Sequence, residues 1–600
     1  MKQVLLAGLS WTAGVTAVMM AVLKMGGDFP TLQSFLSPRL LTAAGVTWVV
    51  FTGLFSLFKK SFLKKYALWA LGIPLLWTAV FTFAYAFAGL PEKKHLGDYY
   101  MVSALLFSLP YISMAWTARI KRGRTLWMVI QGTAAALMVI IPLIYLGYYF
   151  LFGGEMDMFA MMAVLSTHVT EVEAFIQTVG SPGMAAGAGL LTAAVFAACI
   201  LGVRRVMKSA AGEVLIFRGN SMRFRILLVF LSILFTGGFI RMMLHVFPYS
   251  VYKSLNSRGS EFQMLQQLDQ NLDRNVKNMH LLIPDNGGEG THIVVIGESA
   301  DRDHMKAFTG DYPYQTTPWL SSMAGTPDFA MGYKAYSSFP NTLMSLSYAL
   351  TSANQYGDMS LEHVVSLVDA VRAAGYETDW ISFKNRSSLS TAAVTMIAER
   401  SDHSYWEQNP DGYALEVIKK LPPSKKRVIF INIAGSHYTY LSRVPLAERD
   451  RLGISSEDPY YDYDLTIAYT DQVLKDIFNY ARENMNLQSM TYFSDHGENM
   501  KHYHTASPFF FDMVHIPFFV YLSPDYQLSH PGLMETLKSH EHRVFTNDLI
   551  FDTLSGILGA QTNFYQASYD FSSPVYAVTA DQAMTLAGKR HISEDPDFPK

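Results

Sequence analysis

The chain has 600 residues, of which 50% are hydrophobic and 16% charged, well below the roughly 25% charged residues of an ordinary soluble domain. That length implies more than one domain, and a net charge of −3 with no basic stripe or nucleic-acid motif excludes a nucleic-acid partner. Cys199 is the only cysteine, so no intrachain disulfide can form and the compartment must be read from topology.

The apolar residues are concentrated before residue 247. Seven segments, roughly 3–24, 40–58, 67–90, 101–119, 126–151, 184–203 and 226–246, reach the about 20 apolar residues that crossing a bilayer requires. Lys2 and the apolar stretch after it also have the outline of a signal peptide, but no convincing small-residue cleavage site follows. Basic residues in the short loops set the orientation. One set of loops carries Lys59, Lys60, Lys64, Lys65, Arg119, Lys121, Arg122 and Arg124, then Arg204, Arg205, Lys208, Arg218, Arg223 and Arg225. The opposite set holds only Arg39, Lys93 and Lys94. This asymmetry predicts a cytoplasmic amino terminus and an external location for everything after residue 247. Tyr145, Tyr148 and Tyr149 fit an aromatic belt on that outer side. The spans lack paired charges at mid-depth, so the sequence gives no support for a transport path.

Residues 260–279, SEFQMLQQLDQNLDRNVKNM, follow the last span. Ser260 and Gln263 have capping-box spacing, and Phe262, Leu265, Leu268 and Leu272 share one face. An amphipathic helix on the membrane surface and a helix packed on a soluble domain both fit this pattern. The expected organisation is therefore a seven-helix transmembrane domain over 1–247, an interfacial helix and linker over 248–290, and a soluble α/β domain over 291–600.

In that last part, HIVVIG, YETDWIS, RVIFINI, SMTYFS and IPFFVYL read as strands separated by helical stretches such as SLEHVVSLVDAVRAAG. The alternation predicts a mostly parallel sheet with helices on both faces. Ligands of such sheets bind beyond the carboxyl ends of the strands. Glu298 follows the first strand, His437 follows RVIFINI, and Asp495 with His496 follows SMTYFS, so three strands deliver ligand-type residues to one edge. Singly each is weak: a Glu can cap a helix, a lone His can be solvated, and DHG can be a turn. Together, two carboxylates and an imidazole form an O/N set suited to zinc with one position open for chemistry. Thr342, in SSFPNTLMSLS, would sit in the first turn of a helix, where unpaired N–H groups favour phosphate and a lowered hydroxyl pKa. The competing reading makes Thr342 only a helix cap.

These motifs resemble the phosphoethanolamine transferases of the Gram-negative inner membrane, within the alkaline-phosphatase-like and sulfatase-like superfamily. The resemblance spans roughly residues 160–560 and rests on VVIGESADRDHMKAF, TTP at 316–318, NT at 341–342, GSH at 435–437, YDYDLTIAYTD at 461–471 and SDHGE at 494–498. It implies one zinc ion per site, held by Glu298, Thr342, Asp495 and His496, with Thr342 as nucleophile. By the same resemblance His437 and His504 lie near the reacting phosphate, with His502 as the alternative to His504 because the spacing after SDHGE is short. STHVTEVEAF resembles a periplasmic segment whose Glu, here Glu171, helps shape a lipid headgroup site. Two features depart from the family pattern: two extra spans at the amino terminus, and no cysteine in the soluble part.

The implied reaction moves phosphoethanolamine from phosphatidylethanolamine through a phospho-threonine to an envelope acceptor such as lipid A, a core sugar or another glycan. The implied location is the Gram-negative inner membrane, with the catalytic domain periplasmic. Two rivals are a phosphoglycerol transferase of the lipoteichoic-acid-synthase type, usually served by manganese, and an inactive membrane scaffold.

Overall fold

The computed structural model describes residues 124–152, 182–210 and 268–598, less 284–287, 358, 385, 387–391 and 505–508, with isolated positions 76, 79, 80, 222, 226, 229, 230 and 233. Glu171 and the expected spans 3–24, 40–58, 101–119 and almost all of 67–90 and 226–246 lie outside the described residues. The chain divides into two compact units, 1–161 with 181–256, and 162–180 with 257–600.

In the first unit the helices Arg124–Phe152 and Pro182–Ala210 coincide with the fifth and sixth expected spans. Both are long and apolar enough to cross a membrane. Their contact depends on a small residue: a Cβ at Gly132 would lie 2.7 Å from Ile200 Cα. Glycine there lets the two backbones approach, as is usual where helices pack in lipid.

The second unit is built on a seven-stranded sheet. Its strands come from β1 (Gly290–Gly297), β2 (Phe329–Met331), β4 (Glu377–Ser382), β5 (His403–Trp406), β6 (Lys426–Asn432), β7 (Leu487–Ser494) and β8 (Phe518–Leu522), in the order β2-β8-β7-β1-β6-β4-β5. The strands β3 (Lys334–Tyr336) and β9 (Val544–Thr546) form a separate parallel pair. Every pairing in the large sheet is parallel except those of β8, which runs against β7 and β2.

All five strands expected from the sequence are present, and alternation within them explains the layering. Val294, Ile296, Phe430 and Phe493 enter one core with the helices Thr342–Ala349, Leu367–Ala373 and Ile550–Ile557. Ile293, Val295, Ile429 and Tyr492 enter the opposite core under the helix Tyr461–Asn484. A parallel sheet buried on both faces needs such continuous apolar strands, which is why they were legible.

The described part of 260–279 is helical over 268–276, and Leu268 and Leu272 are fully buried in the core of the second unit. Asn275 donates to the carbonyls of Glu362 and Val364, both at 2.9 Å. These two leucines are therefore committed to the soluble unit and not to a bilayer surface.

Candidate active site

Glu298, His437, Asp495 and His496 all leave strands at the carboxyl edge of the sheet, and glycine allows two of the loops to meet. Gly435 has φ +53, and a Cβ there would lie 2.7 Å from the Glu298 carbonyl oxygen. Ser436 N–H donates to that carbonyl at 2.9 Å, while buried Asp411 accepts from the Ala434 and Gly435 N–H groups. The loop that carries His437 is thereby pinned to Glu298. Ser299 is itself held at φ 51, a conformation rare for a residue with a side chain, and its N–H donates to Asp495 Oδ1 at 3.0 Å.

Asn341, and not Thr342, caps the helix Thr342–Ala349: its side chain accepts from Met344 N–H at 3.0 Å. The Thr342 hydroxyl turns instead toward the strand ends. It donates to Glu298, at 3.3 Å from Oε1 and 3.1 Å from Oε2, and lies 3.4 Å from His496 Nε2. His496 Nε2 is also 3.4 Å from Glu298 Oε1 and 3.5 Å from Asp495 Oδ2.

Glu298, Asp495 and His496 are buried, and one potential ligand atom from each lies within 4.8 Å of the others. Asp495 Oδ2 is buried without a hydrogen-bond partner. A buried carboxylate oxygen left bare is costly unless a cation completes it. His496 Nδ1 lies 2.8 Å from the Gly497 carbonyl, which can only accept; Nδ1 therefore carries a proton, and Nε2 has its lone pair free in the neutral ring. This donor chemistry fits zinc.

Without a cation the charges compensate one another. Burial alone would push Glu298 up, but Lys384 and His496 hold it well below the carboxylate range. Burial and the charge of Glu298 push Asp495 up to about 6. Burial disfavours the His496 imidazolium, yet Asp495 and Glu298 outweigh it and raise the ring to about 9. A bound dication would reverse this local logic.

The two histidines expected near the reacting phosphate sit beside this set. The His504 ring centroid is 4.5 Å from that of His496 and 5.7 Å from that of His437. His504 Nδ1 lies 2.5 Å from Glu498 Oε2, and Tyr440 OH donates to Glu498 Oε1 at 2.7 Å. His502 instead stacks on Phe510, with centroids 4.8 Å apart. Burial lowers His437 well below the usual imidazole range, favouring the neutral ring.

Sequence reasoning missed three contributors. Lys384 Nζ forms an ion pair with Glu298, and Arg443 Nη2 lies 3.4 Å from His437 Nδ1. Lys384 was within reach of the same edge rule, because it stands just past β4 in WISFK. The Glu498–His504 contact was signalled only by the Glu that closes SDHGE. A separate group, Asp301, Asp303 and His515, also lies within ligand reach. There, however, both ring nitrogens of His515 already contact carboxylates, Asp303 at 2.6 Å and Asp595 at 2.8 Å. That arrangement makes an imidazolium clamp.

Residues 291–560 match the family described as Sulfatase. The chain is similar to phosphoethanolamine transferase EptC of Escherichia coli strain K12, 25% identical over 328 residues that make up 48% of this chain and 54% of the relative. It is also similar to phosphoethanolamine transferase CptA of Salmonella typhimurium strain LT2, 24% identical over 320 residues with the same two coverages. The matched region spans about half the length of these curated relatives. Among solved structures, the integral membrane protein lipooligosaccharide phosphoethanolamine transferase A (EptA) from Neisseria meningitidis has the same fold, with a TM-score of 0.55 at 17% identity, covering 86% of this chain and 98% of that one. The resemblance read from the motifs therefore stands.

Proposed function

We infer that the chain is a metal-dependent phosphoethanolamine transferase of the inner membrane. In this reading the transmembrane region over 1–247 holds a periplasmic catalytic domain over 291–600 at the bilayer, where its lipid donor lies. The observation that carries the reading is the Thr342 hydroxyl, freed from capping by Asn341 and directed at Glu298 and His496. The names of the curated relatives support the same reaction class.

Glu298, Asp495, His496 and the Thr342 oxygen would hold the ion. When bound, zinc supplies positive charge that favours an ionised hydroxyl and a negatively charged phosphoryl group. The Thr342 hydroxyl gives its proton to Glu298, to which it is hydrogen-bonded, as its oxygen attacks the phosphorus of phosphatidylethanolamine and the bond from phosphorus to the diacylglycerol oxygen breaks. His504, oriented by Glu498, provides a proton to that oxygen, while neighbouring His437, kept neutral by burial, is placed to hydrogen-bond the phosphoryl group. Lys384 and Arg443 bring cationic groups for the phosphoryl oxygens. An acceptor hydroxyl on lipid A, a core sugar or another envelope glycan then gives its proton to His504 as its oxygen attacks the phosphorus, and the bond to Thr342 breaks with a proton returned from Glu298 to restore the hydroxyl. Glu171 is assigned to the headgroup side of the site by motif alone.

The experiment follows headgroup label in membranes carrying the full chain. Transfer of ethanolamine label from phosphatidylethanolamine supports the reading. Glycerol label transferred from phosphatidylglycerol would favour the phosphoglycerol alternative, and transfer of neither label would leave the scaffold reading.

A further inference from the structure

We propose that Asn547 is a positioning residue that sets the distance between the helix bearing Thr342 and the loop bearing Asp495 and His496. It follows β9, outside the large sheet, and is fully buried. The orientation of its amide is fixed by partners whose roles are unambiguous. Ser338 N–H can only donate and lies 2.9 Å from Asn547 Oδ1; the Asp495 carbonyl can only accept and lies 2.8 Å from Nδ2. Nδ2 also donates to Ser345 Oγ at 2.8 Å, and Ser345 Oγ donates to the same Asp495 carbonyl at 2.5 Å.

Three segments are thus closed on one side chain. Ser338 lies on the stretch leading to Asn341; Ser345 lies one turn along the helix from Thr342, and positions three apart share a face. His496 supplies the buried nitrogen 3.4 Å from the Thr342 hydroxyl, and Asp495 Oδ2 lies 3.5 Å from that nitrogen. Asn547 touches none of those ligand atoms, so it acts on the backbone that carries them. Its amide is committed on both sides, and the Asp495 loop has no freedom to retreat while these bonds persist.

This inference rests on the reading of Glu298, Asp495 and His496 as a zinc site. The test uses the full-length protein in detergent, as wild type, Asn547→Asp, Asn547→Leu and Ser345→Ala. Asn547→Asp keeps the acceptor for Ser338 but loses the donors to Asp495 and Ser345; Asn547→Leu keeps approximate shape only. Three quantities are measured: zinc affinity by chelator competition, thermal stability, and headgroup transfer resolved into kcat and KM. Supporting groups behind metal ligands typically cost 10–100-fold when removed. The expected result is a loss of zinc affinity in that range for both Asn547 variants, with kcat lowered and KM for phosphatidylethanolamine unchanged. Ser345→Ala should show the same signature, but smaller, and it carries the test if either Asn547 variant fails to fold. Lowered thermal stability with wild-type zinc affinity and kcat in the folded variants would overturn the positioning role. A wild-type protein that holds no zinc would overturn the reading of the site, and this inference with it.

Discussion

Thr342 Oγ1 lies 3.1 Å from Glu298 Oε2, joining the first residue of a helix to the first residue beyond the central strand of the sheet. His496 Nε2, from the neighbouring strand end, is 3.4 Å from the same hydroxyl. One hydroxyl therefore meets a carboxylate and an imidazole while Asn341 does the capping.

Thr342→Ala should separate chemistry from stability. Because Asn341 holds the cap, the substitution removes little more than the bond to Glu298, worth about 0.5–1.5 kcal/mol. A covalent route predicts that wild-type protein given phosphatidylethanolamine alone releases a burst of diacylglycerol and gains a phosphoethanolamine adduct on the Thr342 peptide. Both should vanish in Thr342→Ala, as read by rapid quench and peptide mass spectrometry. Substantial headgroup transfer by the folded variant would end the covalent route.

Metal content offers an independent check. Asp495→Ala or His496→Ala removes one member of a buried set of three, and each should reduce zinc from about one per chain to a small fraction of that after dialysis. Elemental analysis reads the result directly. Near-stoichiometric zinc in both variants would remove these residues from the ligand set.

His515 predicts a pH dependence on the alkaline side. Burial and Arg302 disfavour its charged ring, but Asp303 and Asp595 prevail and raise it above the ordinary value of about 6.5. A raised folded-state value means that the stabilisation is fully present below about pH 6.5 and fades as pH climbs through the folded value. Asp595 also accepts from Tyr336 OH at 2.9 Å, so the clamp fastens the carboxyl-terminal segment to the domain. Thermal melts between about pH 6 and 9 should show the difference between wild type and His515→Gln shrinking as pH rises. A difference that stays constant across that range would exclude the charged clamp.

Topology can be mapped with reporter fusions. Fusions after residues 62, 122 and 212 should report cytoplasm, and those after 95, 165 and 280 periplasm, because the basic residues are concentrated in the first set of loops. A cytoplasmic signal from the fusion after 165 would remove Glu171 from the headgroup site.

The sheet and its ligand edge were legible because the five longer strands are mostly apolar and three of them lead into ligand-type residues, Glu298, His437 and Asp495 with His496. Short strands were not: β2, β3 and β9 have three residues each, too few to establish a period, and they pair only because tertiary structure brings their partners. Lys384 escaped because a lysine after a strand looks like a solvated end until its Glu298 partner is seen. Asn547 gave no motif at all. Its role depends on contacts with Ser338, Ser345 and Asp495, distant positions that no local pattern connects. The helix at 268–276 was ambiguous for a different reason: an apolar stripe specifies that something covers it, but not what.

The place of β1 at the centre of the sheet has a consequence for how the chain is made. Gly290–Gly297 emerges before either neighbour, since β6 begins at Lys426 and β7 at Leu487. At synthesis rates of about 5–20 residues per second, this strand of eight buried residues waits on the order of ten seconds for its first partner. Through that interval both edges of this buried strand stay open, so the nascent domain is most exposed to mispairing before Lys426 appears, and a holding chaperone would matter most then.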